Sequence, residues 1–196
     1  MTAKETRHLT DLGALKAFGH PLRLRLYRAL CVADAATASQ LAEEVDETVS
    51  LVSYHLRRLA AHGLIEETES PRGDARERWW RRVSEHVSVH DDAVDDAPEA
   101  AAAHAALMRT MFRQQVEMRE RYLDERAAWG PEWRQADFDR ESLPRLTPAE
   151  LRELAEELRE LTNRWEDRAR AAMAAGDTEG RESVAIHLYG FPFRGA

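Results

Sequence analysis

The chain has 196 residues, 43% hydrophobic and 33% charged, with a formal net charge of −8. That length can bury a real core, and that composition excludes a disordered chain and favours a helix-rich one. The single cysteine, Cys31, excludes an intrachain disulfide framework; no apolar run reaches the ~18 residues of a membrane span and Met1–His8 holds no apolar signal core, so a cytoplasmic protein with no membrane partner is expected.

Leu9, Leu12, Leu15 and Phe18 fall at helical spacing and predict a first helix over 9–18. Gly19-His20-Pro21 breaks it, and Pro21 suits the first position of a second helix whose Leu22, Leu26 and Leu30 share a face. Ala33 to Ala36 read as a short connection. Thr37 then caps a third helix carrying Leu41, Ala42 and Val45. Asp46-Glu47 forms a tight turn and Thr48 caps a fourth helix. There Val49, Val52, Leu56 and Leu59 follow the helical period inward, while Ser50, Leu51, Ser53, Tyr54, Arg57 and Arg58 are left outside or on the flanks. Gly63 ends this helix as a left-handed cap.

Leu64–Glu69 and Arg78–Val83 predict a hairpin with Pro71-Arg-Gly-Asp at its turn. Trp79 and Trp80 alternate faces on the second strand, so one is expected in the core. Residues 84–97 read as a connection. A long helix over 98–129 carries Leu107, Met111, Met118 and Tyr122 as one seam. Gly130-Pro131 breaks it, and an aromatic, acidic loop follows. Thr147-Pro148-Ala149-Glu150 is a capping box that opens another helix, whose Leu151, Leu154, Leu158, Leu161, Trp165 and Ala172 form a coiled-coil-like seam. Gly176 and Gly180 frame a turn, and residues 183–193 read as one strand. Trp129, Trp133, Phe138, Tyr189, Phe191 and Phe193 are expected chiefly to pack, with an apolar pocket as the alternative.

Helix, helix, helix-turn-helix and basic hairpin, in that order, make a winged helix. The chain resembles the ArsR-type (ArsR/SmtB-like) winged helix-turn-helix regulators. The resemblance rests on Phe18-Gly-His-Pro-Leu-Arg-Leu, Gln40-Leu-Ala-Glu, Val52-Ser-Tyr-His-Leu-Arg-Arg-Leu and His62-Gly-Leu-Ile, and it covers about residues 12–84. The fold class expected is therefore mostly α: an N-terminal winged helix-turn-helix domain (1–90) with a two-stranded β wing, then a C-terminal long-helix region (91–196) for dimerisation and for any effector.

The resemblance implies that the fourth helix enters the major groove, with Thr48, Ser50, Leu51, Ser53, Tyr54, Arg57 and Arg58 toward DNA. It places Thr37 and Gln40 where the third helix meets the backbone, and Arg72, Arg76 and Arg78 on the wing against phosphates or the minor groove. Charge distribution agrees. Residues 1–90 carry 13 basic and 13 acidic side chains, and the whole acidic excess lies in 91–196. Residues 49–82 hold seven arginines against five acids. Local charge sets phosphate contacts, and here it is positive.

Each site has a plainer reading: the outer face of the fourth helix as solvated surface, the wing arginines as a charged hairpin, and His55 as a residue that locks its helix or touches phosphate. Metal sensing is not expected. Cys31 stands alone, the long helix offers only His104, and His86, His90, Asp91 and Asp92 fall in the connection. No cofactor is expected. Nor is an enzyme, since the sequence carries no phosphate-binding Gly loop, nucleophile elbow or His-Glu-x-x-His helix.

The functional expectation is a transcriptional regulator, a repressor, binding double-stranded DNA at a palindromic operator. It would act as a homodimer through the first and 98–129 helices, with or without an unknown small-molecule effector. The alternative is a winged-helix protein–protein interaction module without operator specificity.

Overall fold

Helices dominate the computed structural model, which describes residues 6–8, 12–70, 77–84, 86–88 and 98–194. Contacts divide the chain into two compact units, Met1–Asp124 and Glu125–Ala196.

The first unit opens with the short strand β1 (Thr6–His8), followed by α1 (Leu12–Phe18) and α2 (Pro21–Ala33). The corner between the helices is built locally. His20 caps α2, its Nδ1 accepting from the Leu22 N–H at 3.2 Å, and Pro21 sits at the start, where its missing N–H costs nothing. Arg23 bonds back to the Ala17 carbonyl and, at 3.0 Å, to the Lys16 carbonyl, satisfying the end of α1.

Ala35–Thr37 is a strand, β2, and not the loose connection expected of Ala33–Ala36. Two alanines carry little strand propensity; the neighbouring edge decides, because β2 pairs antiparallel with a later strand, β4 (Trp79–Arg82). Thr37 then caps α3 (Ala38–Val45) in a full capping box with Gln40. Asp46 takes a left-handed conformation and turns the chain into α4 (Val49–Ala61), capped by Thr48. Gly63 follows α4 at φ 62°, the left-handed position foreseen for it.

The wing strands are β3 (Ile65–Thr68) and β4, each shorter than expected, and the sheet order β2-β4-β3 makes β4 central. Trp79 and Trp80 are both buried, but only Trp80 joins the hydrophobic core cluster, in line with the expectation that one of the two is core. After Ser84, β5 (His86–Ser88) pairs in parallel with β1. The core joins Leu15, Leu26, Leu30, Leu56, Leu59 and Leu64, all fully buried. Each such side chain stabilises the fold by about 1.5–3 kcal/mol.

A long helix, α5 (Pro98–Glu125), packs onto this core by its first half, so the first compact unit extends beyond the residue-90 boundary read from the sequence. Its buried side chains are Leu107, Thr110 and Gln114. Of the seam read from sequence, Leu107 is buried and Met111 packs against the core, while Met118 is exposed; there the helix is held by the polar bonds of Gln114. A Cβ on Gly19 would sit 3.2 Å from the Leu15 carbonyl oxygen and 3.8 Å from the Leu107 Cα, so glycine lets α5 approach the α1–α2 corner.

In the second unit α6 (Pro131–Ala136) occupies part of what read as an irregular loop; Pro131 starts it and Asp137 ends it. Trp129 and Trp133 meet edge to face at 6.2 Å. Thr147 and Glu150 form the anticipated capping box of α7 (Pro148–Ala174), which has no buried residue. Glycines 176 and 180 both have positive φ in the turn beyond it. The strand expected over 183–193 is not formed: among the described residues no edge pairs with it, and Gly190 and Pro192 interrupt it. Phe138, Tyr189, Phe191 and Phe193 are exposed, so these aromatics neither pack into a core nor enclose a pocket.

Candidate nucleic-acid interface

The helical period gives α4 two faces. Val52, His55, Leu56 and Leu59 are buried against α1, α2 and α3, and this fixes the rotation of the helix. Ser50, Leu51, Tyr54, Arg57 and Arg58 are exposed on the other side, and Ser53 is half-buried at the edge. Val49, expected inward, is 47% exposed. It sits in the first turn, ahead of the point where α4 meets the core.

Thr48 and Ser50 are joined at the N-terminal end. The Thr48 hydroxyl accepts from the Leu51 N–H at 3.4 Å and lies 3.3 Å from the Ser50 hydroxyl. Tyr54 is 51% exposed, with its ring edge-on to His55 at 5.1 Å. Behind that contact His55 stacks on His20 with ring centroids 4.5 Å apart, and its Nδ1 is buried with no hydrogen-bond partner among the described residues. Burial, and then the charge of Arg23, hold the His20 pKa below its usual value. Burial, His20 and Arg23, in that order, do the same for His55. The histidine's role is thus helix locking, one of the two anticipated for it.

Thr37 is only 2% exposed, and its hydroxyl accepts from the Gln40 N–H at 3.3 Å while Gln40 Oε1 accepts from the Thr37 N–H at 2.9 Å. The pair orients α3. Gln40 is exposed; Thr37 is not, so as a direct backbone contact it is withdrawn in favour of a positioning role. Arg25 extends the same support, donating to the Val45 carbonyl at 2.6 Å.

On the wing, Arg78 is exposed and paired with Glu67 across β3 and β4 at 3.0 Å. Arg81 pairs with Glu66 on the same sheet. Arg72 and Arg76 lie outside the described residues. An open cleft of about 310 Å³ lies between the start of α3, the side of α4 and β4, lined by Thr37, Ser39, Ser53, Arg57, Arg78 and Trp80, with Glu77 at its edge. It joins the helix and wing sets into one surface of hydroxyls and guanidiniums. Ser39 and Glu77 were missed from sequence. Ser39 was findable as the second residue after the Thr37 cap, half-buried on the first turn of α3.

Among the described residues no three His, Cys, Asp or Glu side chains come together as a metal site, and no helix is long and apolar enough to cross a membrane.

A helix-turn-helix domain model matches residues 18–68, the segment from the end of α1 through β3. The N-terminal part of the chain is a winged helix-turn-helix domain, and the long helices α5 and α7 follow it. No curated protein matches the chain. Among solved structures, the chain is similar to a mutant MarR from E. coli complexed with operator DNA at 16% identity and TM-score 0.30, over 50% of this chain and 62% of that one. It is also similar to YusO from Bacillus subtilis at 19% identity and TM-score 0.33, over 60% and 80%. A third is PcaV from Streptomyces coelicolor, in complex with its natural ligand, at 14% identity and TM-score 0.32, over 72% of each chain.

Proposed function

We propose that the chain is a sequence-specific DNA-binding transcriptional regulator, ArsR-like in the residues of its helix-turn-helix, that represses by occupying a palindromic operator as a homodimer. One observation carries the reading. α4 is rigidly seated by Val52, His55, Leu56 and Leu59, while its opposite face offers Ser50, Leu51, Tyr54, Arg57 and Arg58 to solvent. A rigid rod with short hydroxyls and arginines outward suits the major groove, where serines donate or accept at base edges and arginine reaches guanine or phosphate.

Arg78, with Arg72 and Arg76 of the wing sequence, would take flanking phosphates or the minor groove. Gln40 would meet the backbone from α3. Residues 1–90 supply this binding surface, and 91–196 supply contacts between copies and any effector site. Exposed Phe112, Val116 and Leu123 recur along one side of α5 and support its use, with α1, in the dimer. Two heads held by a two-fold axis read half-sites about 34 Å apart. A cytoplasmic location fits this reading.

Selection from random duplexes, followed by sequencing, tests it. An inverted repeat with half-sites about one helical turn apart is expected. Arg57→Ala should then weaken operator binding by about 1–3 kcal/mol. Recovery of no preferred sequence would reject the regulator and favour a winged helix used to bind protein.

A further inference from the structure

The second unit carries an apolar helix face that its own residues leave open. α7 runs 27 residues from a complete cap, yet buries nothing. Along it Leu154, Leu158, Leu161 and Trp165 recur by four, three and four, the spacing of a two-helix seam. Leu161 is 43% exposed and Trp165 57%. Helices in water draw most of their stability from packing such a face. At its start the seam is closed by the chain's own tail, since a Cβ on Gly190 would lie 3.1 Å from a Leu151 methyl.

The charges on α7 say what covers the rest. Its first half, 148–161, holds five glutamates against two arginines; its second half, 162–174, holds three arginines against two acids. Two such helices side by side in the same direction would set acid against acid. In opposite directions, each acidic half meets a basic half.

The heptad positions sharpen this. With Leu151, Leu158 and Trp165 at a and Leu154 and Leu161 at d, the g positions flanking the centre are Glu157 and Arg164, and the e positions are Ala155, Thr162 and Ala169. An antiparallel register that sets Leu158 on Leu161 of a second copy, and Leu154 on its Trp165, also brings Glu157 to its Arg164, twice by symmetry. The e flank then meets small residues only, so the backbones can close. Among the described residues neither Glu157 nor Arg164 makes an ion pair within the chain, whereas Glu156 is paired with Arg159 and Asp167 with Arg170. A shallow groove of about 330 Å³ lined by Glu157, Leu158, Glu160, Leu161 and Arg164 marks the centre of that register.

We propose that α7 pairs with α7 of a second copy of this chain as an antiparallel two-helix seam centred between Leu158 and Leu161, with Glu157 and Arg164 setting direction and register. This rests on the homodimer reading and adds a contact, separate from α1 and α5, that ties the two C-terminal units together.

Charge reversal in the full-length chain tests it. Glu157→Arg makes both g positions basic and Arg164→Glu makes both acidic, so each variant alone repels its own copies. Each should raise the self-dissociation constant measured by sedimentation equilibrium at least tenfold. Mixing the two variants in equal amounts restores complementary pairs and should return the constant to within about threefold of the unaltered chain. Circular dichroism equal to that of the unaltered chain shows that the helix is kept. Unchanged constants in both single variants, or a mixture that associates no better than either, would overturn the seam. DNA selection with the unaltered chain is read separately: a chain that passes the charge test but prefers no sequence keeps the seam and loses the regulator.

Discussion

Arg28 and Gln114 are joined across 86 residues of sequence: the arginine Nη1 donates to Gln114 Oε1 at 2.7 Å, and the same amide's Nε2 donates to the Pro21 carbonyl at 2.9 Å. One buried side chain thereby holds α5 to both the first turn and the middle of α2. A buried amide with both ends satisfied specifies a single register, since sliding α5 by one residue would break both bonds.

Removal of that amide should therefore be costly. Gln114→Leu keeps the volume but leaves the Arg28 guanidinium, half-buried and already disfavoured by desolvation, without its acceptor. The expected loss is about 1–3 kcal/mol. Gln114→Glu retains an acceptor for Arg28 and should cost less. Urea denaturation of the three chains gives the ranking, and a leucine variant as stable as the parent would show that the lock contributes nothing.

The stacked pair His20 and His55 predicts how stability changes with pH. Both pKa values lie below the ordinary histidine value of about 6.5 because burial disfavours the cation and Arg23 repels it. The unfolded chain then takes up protons first as pH falls. Stability is full above about pH 6.5, declines below it, and levels off only beneath the lowered folded values. Protonated His20 would also lose its acceptor role at the α2 N-terminus, where positive charge is unfavourable. Denaturation midpoints compared at about pH 7.5 and about pH 5.5 should fall less in His55→Leu than in the parent. Equal falls in both chains would remove the pair as the cause.

The wing pair Arg78–Glu67 holds a guanidinium that DNA would have to take over. Both side chains are exposed, so the pair is worth at most about 1 kcal/mol, and a phosphate competes successfully. Glu67→Gln should strengthen DNA binding modestly at low salt. Arg78→Ala should weaken it on all sequences alike and lower the salt slope by about one. Sequence-dependent loss in Arg78→Ala would instead mean that this arginine reads bases.

Much of the winged helix was legible because its signals are local. Thr37 and Thr48 announce helix starts, Gly63 an end, and Val52, Leu56 and Leu59 a buried face. What escaped depends on partners distant in sequence. β2 exists because β4 offers an edge, and Gln114 faces inward because Arg28 and Pro21 await it. The outward set on α4 followed from its period, and Thr37 was legible as a cap, but its burial was not: the reciprocal bonds with Gln40 turn its hydroxyl inward. The 183–193 segment failed for the converse reason, as apolar residues without an edge to join make no strand.

The turn between α3 and α4 hinges on Asp46, at φ 52° and ψ 56°, with its N–H directed at the Ala42 and Glu43 carbonyls, and Glu47 N–H donating to Ala42 at 3.0 Å. Aspartate tolerates this left-handed conformation better than most residues, and a β-branched one does not. Asp46→Val should destabilise by about 1–2 kcal/mol. Asp46→Gly should change stability by less than about 0.5 kcal/mol, because relief of the backbone is offset by a more flexible unfolded chain. The angle between the two helices places Ser50 and Arg57, so the valine chain should also lose DNA affinity even where it remains folded. Binding measured well below its melting temperature checks that, and full affinity in the valine variant would show that the turn does not set the reading helix.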